Sequence, residues 1–169
     1  MSDNALQTKL GDYVEDAHAM ETNVLQMLGS MISTTSDPEI RAELERHKEQ
    51  TEAQEQRLRD RLEALGRSPA IRKETQTIVG ALMKGVADQV RGDKPGKNAR
   101  DGYVTEHMEI AAYEVLERIA VRAGDQDTAD AARRNRAEEQ AMADRIAASW
   151  DSVVDLMLAE DGLITTASR

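Results

Sequence analysis

The sequence contains no cysteine, which excludes a disulfide framework, a thiolate zinc site and a cysteine nucleophile. It contains no phenylalanine and almost no other aromatic residue. Strands draw on aromatic and β-branched side chains. Here the apolar share falls on Ala, Leu, Met, Ile and Val, which with abundant Glu, Arg and Gln is helix-forming material. Proline occurs three times, so each proline marks a boundary. No apolar run approaches a membrane span, no glycine-rich phosphate loop occurs, and no serine sits in a nucleophile-elbow setting. Basic residues are outnumbered by acidic ones, 22 against 32, for a net charge of -10. A phosphate-binding face or an anionic membrane surface requires the opposite balance, so neither nucleic acid nor membrane is expected as a partner. The start, Met1-Ser2-Asp3-Asn4, shows no basic segment followed by an apolar one. A cytoplasmic location is therefore expected.

A chain of 169 residues suits one domain with a real core. The expectation is a single domain over 1–169, with its core at about 4–159 and a frayed tail after 162. Four clusters of turn residues divide it: Ser33 to Pro38, Gly66 to Pro69, Gly92 to Gly96, and Gly124 to Asp127. Asp37 can cap a helix that starts with Pro38. Gly124 is placed to end one helix, and Asp125 or Asp127 to start the next. The intervals predict helices at about 4–31, 38–65, 71–91, 97–123 and 127–159. The first, second, fourth and fifth are long enough to cross a domain. The third is shorter and lies where a connection must run between two hairpins; its Gly80 and Gly85 flank apolar residues and read as packing sites. The expected fold is all-α, a ferritin-like four-helix bundle of two antiparallel hairpins with a fifth, shorter connecting helix.

Helical phase sorts the buried positions. The first stripe runs Val14, His18, Glu21, Leu25, Leu28, and the second Ile40, Leu44, His47, Thr51, Gln54, Leu58, Leu62, Leu65. In the fourth stretch it runs Gly102, Glu106, Glu109, Tyr113, Leu116, Ala120. In the fifth it runs Ala132, Asn135, Glu139, Met142, Ile146, Trp150, Val153, Met157. Each stripe is polar in its middle. Glu21 and His47 have their midpoint at Thr34, inside the first turn, and Glu109 and Glu139 have theirs at Gly124, inside the last. Residues equidistant from a hairpin turn share a level, so each hairpin sets one metal-type ligand opposite another.

Buried carboxylates without partners are costly. Two divalent ions match the charge of four of them, which suits Glu21, Glu106, Glu109 and Glu139, with His47 as a neutral nitrogen donor. His18 lies one turn from Glu21 and also suits a hydrogen-bonded core histidine. Trp150 and the methionines read as packing residues, and the Arg133-Arg134-Asn135-Arg136 cluster as a solvated helix face.

Glu106-His107-Met108-Glu109-Ile110-Ala111-Ala112-Tyr113 resembles the Glu-His-Tyr-Glu-Ile-Ala-x-Tyr motif of the YciF/YciE stress-protein family. His47-Lys48-Glu49-Gln50-Thr51-Glu52-Ala53-Gln54, followed by Arg57-Leu58, resembles that family's His-Leu-Glu-Glu-Thr-x-x-Gln-x-x-Arg-Leu segment. Asp16 and Glu21 match its first-helix acids, and Glu138-Glu139 with Asp144 its last-helix acids. The likeness spans roughly residues 10–150. It implies a ferritin-like fold and a dinuclear metal protein linked to stress. Two departures stand out. Gln50 replaces a second Glu near His47, and Tyr103 with the Gly92 to Gly96 stretch replaces an Ala-rich helix start.

The functional expectation is a stress-response protein holding two Fe or Mn ions that react with peroxide or dioxygen, with Tyr113 near the site as an electron or hydrogen-bond donor or as a core residue. Gln50, a weaker neutral donor than Glu, would leave one metal position loose or empty. The alternative is a non-catalytic interaction bundle whose site has decayed. An apolar edge carrying Trp150 or Met suits pairing, so a homodimer is expected.

Overall fold

The computed structural model describes residues 2–35, 38–69 and 94–164. Its helices are α1 (Ser2–Thr34), α2 (Pro38–Ala64), α3 (Lys94–Ala123), α4 (Gln126–Ala148) and α5 (Trp150–Glu160), and no strand occurs among the described residues. The helix expected at 71–91, with Gly80 and Gly85, and the expected cap Asp37 lie outside the described residues.

Two glycine turns close as their placement predicts. Gly66 and Gly124 have φ of 68° and 73°, a left-handed conformation that a side chain would strain. Each donates its N–H to the carbonyl three residues back, Glu63 or Val121, and the following N–H reaches Leu62 or Ala120. These bonds satisfy the last carbonyls of α2 and α3. Asp125 then caps α4, accepting the Thr128 N–H at 2.9 Å and the Thr128 hydroxyl at 2.7 Å.

Three boundaries differ from expectation, the first being the end of α1, which runs on to Thr34 rather than 31. α3 begins at Lys94 rather than 97, because Pro95 in a first helical turn has no N–H to lose. The helix expected over 127–159 is broken at Ser149, which separates α4 from α5. The Ser149 N–H and hydroxyl both bond to the Ile146 carbonyl, at 3.0 and 2.8 Å, drawing the turn tight in place of the regular ladder.

α1 and α2 form one antiparallel hairpin and α3 and α4 the other. Gln7 near the start of α1 donates to the Ala123 carbonyl at the end of α3, and Arg61 near the end of α2 bridges Asp125 and Asp127. α2 and α3 therefore both end at the same pole, so they run parallel, and Pro69 and Lys94 lie toward opposite poles, the ferritin-like arrangement. α1 borders α2 and α3, and α4 borders the same two, which leaves α1 facing α4 and α2 facing α3 across the diagonals. α5 packs on the first half of α3, with Trp150 edge-on to Tyr103 and Met157 filling the space beside Gly96.

The apolar core has two parts. Leu10, Val14, Leu58, Leu62, Leu116, Ala120, Ala129 and Ala132 fill the pole of the Gly66 and Gly124 turns. Val24, Met27, Leu28 and Met31, with Leu44, fill the other. Leu25, expected on the α1 stripe, is only half-buried, and Val24 takes the inner position instead. Between the two parts lies a layer of polar side chains. No helix among the described residues is long and apolar enough to cross a membrane.

Candidate metal centre

The polar layer takes one to three residues from each long helix. α1 supplies Glu21, α2 His47 and Gln54, α3 Glu106, Glu109 and Tyr113, and α4 Asn135 and Glu139. They fall here because they continue the same 3.6-residue stripes that are apolar above and below. All five residues expected as ligands are inside the bundle, none of them more than 5% exposed.

His47, Glu106 and Glu139 each present one donor atom, and these atoms lie within 4.8 Å of one another. His47 Nε2 is 3.3 Å from Glu106 Oε1, across the diagonal between α2 and α3, but without hydrogen-bond geometry. Glu21 and Glu109 are close enough to Glu106 and Glu139 for their charges to interact. Seven donor atoms on these five residues are buried without a hydrogen-bond partner: Glu21 Oε2, both ring nitrogens of His47, Glu106 Oε2, both oxygens of Glu109, and Glu139 Oε2. Among the described residues, no lysine or arginine is in ion-pair contact with any of the four carboxylates.

This environment resists charge. Burial, with Glu139 and then Glu106 nearby, holds the Glu21 carboxyl well above the usual range, although the Tyr113 hydroxyl bond works against it. Burial and then Glu21, Glu139 and Glu106 do the same to Glu109. Glu106 is pushed up to about 7 by burial, and Glu139 to about 9 by burial and by its contact with Glu106. Burial lowers His47, keeping the imidazole neutral and able to act as a ligand. Carboxylates with no cationic partner among the described residues, a neutral imidazole and orphaned donor atoms are the kind of donor set that could hold a divalent cation, with His47, Glu106 and Glu139 as its converging group.

Gln50, the notable departure in α2, is half-buried, and the His47, Glu106 and Glu139 group forms without it. His18 lies elsewhere: its Nε2 is 2.6 Å from Glu55 Oε1 on the α1–α2 seam. Asp16 is only half-buried. Asp144 is exposed and accepts a bond from Gln140, and Glu138 is bound by Arg57 and Arg134. Arg133 and Arg136 pair with Glu114, Glu117 and Asp130, while Asn135 between them is fully buried.

Three further residues take part, and of these only Tyr113 had an expected role, as an electron or hydrogen-bond donor near the site or as a core residue. Gln54 donates its amide to Glu139, and Tyr113 donates its hydroxyl to Glu21 while accepting from Asn135 at 2.9 Å. For Gln54 and Asn135 the signal in the sequence was only a place on the polar middle of a stripe, which marks burial without giving a role.

Comparison with known proteins gives a family and a fold. A family model described as a domain of unknown function, DUF892, matches residues 5–159. A crystal structure of a protein from Xanthomonas campestris is 24% identical, with a TM-score of 0.77 over 94% of this chain and 99% of that one. The E. coli stress protein YciF is 17% identical, with a TM-score of 0.76 over 89% of this chain and 97% of its own. YcfI from Rhodopseudomonas palustris is 22% identical, with a TM-score of 0.71 over 84% of this chain and 92% of that one.

Proposed function

This chain belongs to the DUF892 family, and from that premise we propose that it is a YciF-like stress-response protein that binds two divalent metal ions, Fe or Mn. The observation that carries the reading is the set of seven orphaned donor atoms on Glu21, His47, Glu106, Glu109 and Glu139. Buried polar atoms are otherwise satisfied in folded proteins, so a concentration of unsatisfied ones at one level is a site awaiting a ligand. Four carboxylates answer the charge of two divalent ions, and a mixed oxygen and imidazole set suits Fe and Mn over softer metals.

His47, Glu106 and Glu139 hold one position, since their donor atoms already converge. Glu21 and Glu109 complete the other. Bound Fe or Mn supplies redox chemistry toward peroxide or dioxygen. The residues supply a site closed to bulk water, a neutral nitrogen donor and carboxylates that give up protons to receive a cation. The likeness to the E. coli stress protein supports the physiological setting.

The test is metal content and metal uptake. The chelator-treated protein is titrated with Mn(II) alone, anaerobic Fe(II) alone, and Mg(II) alone, by calorimetry and by thermal unfolding. Uptake approaching two Mn(II) or Fe(II) per chain is expected, with a melting point that rises with metal. At 100 times the dissociation constant the stabilisation is about 2.7 kcal/mol, or roughly 5–10 °C for a chain of this size. No uptake and no shift would leave a hydrogen-bonded polar layer and refute the reading.

A further inference from the structure

Two carboxylates of the layer are treated alike by different neighbours. Glu21 gives Oε1 to the Tyr113 hydroxyl and keeps Oε2 buried without a partner. Glu139 gives Oε1 to the Gln54 amide and keeps Oε2 buried without a partner. In each case the donor comes from a helix adjacent to the acid's own: Tyr113 from α3 to α1, and Gln54 from α2 to α4. Both donor side chains are fully buried.

The direction of the Tyr113 bond is set from behind. Asn135 Nδ2 donates to the phenol oxygen at 2.9 Å. With that lone pair engaged, the phenol proton is directed to Glu21. The chain of donors is Asn135 to Tyr113 to Glu21, and Asn135 stands one helical turn before Glu139. Glu21, Tyr113, Asn135, Glu139 and Gln54 thus link all four long helices at one level.

We infer that Tyr113, Asn135 and Gln54 are positioning residues, which fix Glu21 and Glu139 so that each acid offers one chosen oxygen to a cation. The inference rests on the metal-binding reading above. The three are suited to the task because they are neutral donors: Tyr113 and Gln54 each orient a carboxylate without neutralising it, and Asn135 orients Tyr113. An arginine in the same place would pair with the acid and remove the reason for a cation to bind. Groups that orient metal ligands through hydrogen bonds typically contribute 10–100-fold to metal affinity.

The test is Mn(II) titration, by calorimetry, of the chelator-treated full chain and of Tyr113→Phe, Gln54→Leu and Asn135→Ala. Tyr113→Phe and Gln54→Leu are expected to weaken the tightest binding or the second event by roughly 10–100-fold, with Asn135→Ala showing a smaller loss because it acts through Tyr113. A double-mutant cycle separates positioning from packing. In a Glu21→Gln background, Tyr113→Phe should cost no further affinity, whereas a packing role costs the same in both backgrounds. Substituting Co(II) gives a second readout, a ligand-field spectrum that shifts in Tyr113→Phe while helical content stays constant. If Tyr113→Phe does not fold, Gln54→Leu against a Glu139→Gln background runs the same cycle. Wild type that binds Mn(II), with variants that bind as tightly or lose affinity equally in both backgrounds, overturns the positioning role and leaves metal binding standing. Wild type that does not bind overturns both.

Discussion

The bundle buries acidic side chains in two ways. Along its outer seams each acid meets a cation or a histidine. Glu55 receives His18 and Arg59, Glu15 and Asp12 receive Arg67, Glu138 receives Arg57 and Arg134, and Asp125 receives Arg61. In the central layer Glu21, Glu106, Glu109 and Glu139 meet one another, a neutral histidine and neutral donors. The outer acids are complete and hold helices together. The inner acids are incomplete, and their incompleteness is what supports the proposed metal site. The same residue type is thus structural or ligand-like according to whether an arginine can reach it. Arg57 illustrates the boundary: its charge is felt at Glu21, yet its guanidinium is committed to Glu138.

The sharpest way to break the comparison is to remove an inner acid. Both oxygens of Glu109 are unpartnered, so Glu109→Met, close in volume, should leave metal-free stability unchanged or raise it, by up to about 4 kcal/mol. Urea unfolding of the chelated variant checks this, and it should bind less Mn(II). A destabilised variant would show that Glu109 is held by the protein itself.

An outer residue should behave in the opposite sense. His18→Leu leaves Glu55 with Arg59 but removes the 2.6 Å bond, so a loss of about 1–3 kcal/mol is expected. Its Mn(II) affinity should match wild type. Weakened binding would place His18 within reach of the metal after all.

The pH dependence of the metal-free protein sharpens the same contrast. Glu106 and Glu139 titrate at about 7 and about 9 when folded, against an ordinary value of 4.5. Raised acids favour the folded state below the unfolded value and lose that advantage as pH rises through the folded values. Stability should therefore fall between about pH 5 and 9, by up to about 1.4 kcal/mol per pH unit for each proton retained. Outer acids held low, such as Asp125 and Glu138, lose their contribution only in acid, below ordinary values of 3.8 and 4.5, and are flat across this window. Saturating Mn(II) should flatten the slope, since the ligands are then deprotonated at all these values. A profile already flat without metal would refute the account of the inner layer.

The smallest effect belongs to Arg67. It spans Gly11 to reach Asp12, Glu15 and the Thr8 carbonyl, but it is partly exposed, so Arg67→Ala should cost about 1 kcal/mol or less. Thermal unfolding at low and high salt checks it, with the difference from wild type shrinking as salt rises.

Much of this was legible without coordinates. Turn residues located the hairpins, because only glycine enters the left-handed caps at Gly66 and Gly124 without strain, and because an Asp side chain satisfies the exposed N–H groups that start α4. Helical period then put Glu21, His47, Glu106, Glu109 and Glu139 on inner faces, and equal distance from each turn matched Glu21 with His47 and Glu109 with Glu139 in level. Period does not say which neighbour a side chain meets. His18 and Glu21 share a stripe three residues apart, yet one turns to Glu55 and the other to Tyr113. The break at Ser149 is not legible in the sequence because serine is tolerated within helices, and local hydrogen bonding to Ile146 ends this one. Which acids receive an arginine, and which receive Gln54 or Tyr113, depends on contacts between residues up to 92 positions apart. Sequence period determines burial; side-chain reach across the closed bundle decided which buried acids were left without a cationic partner.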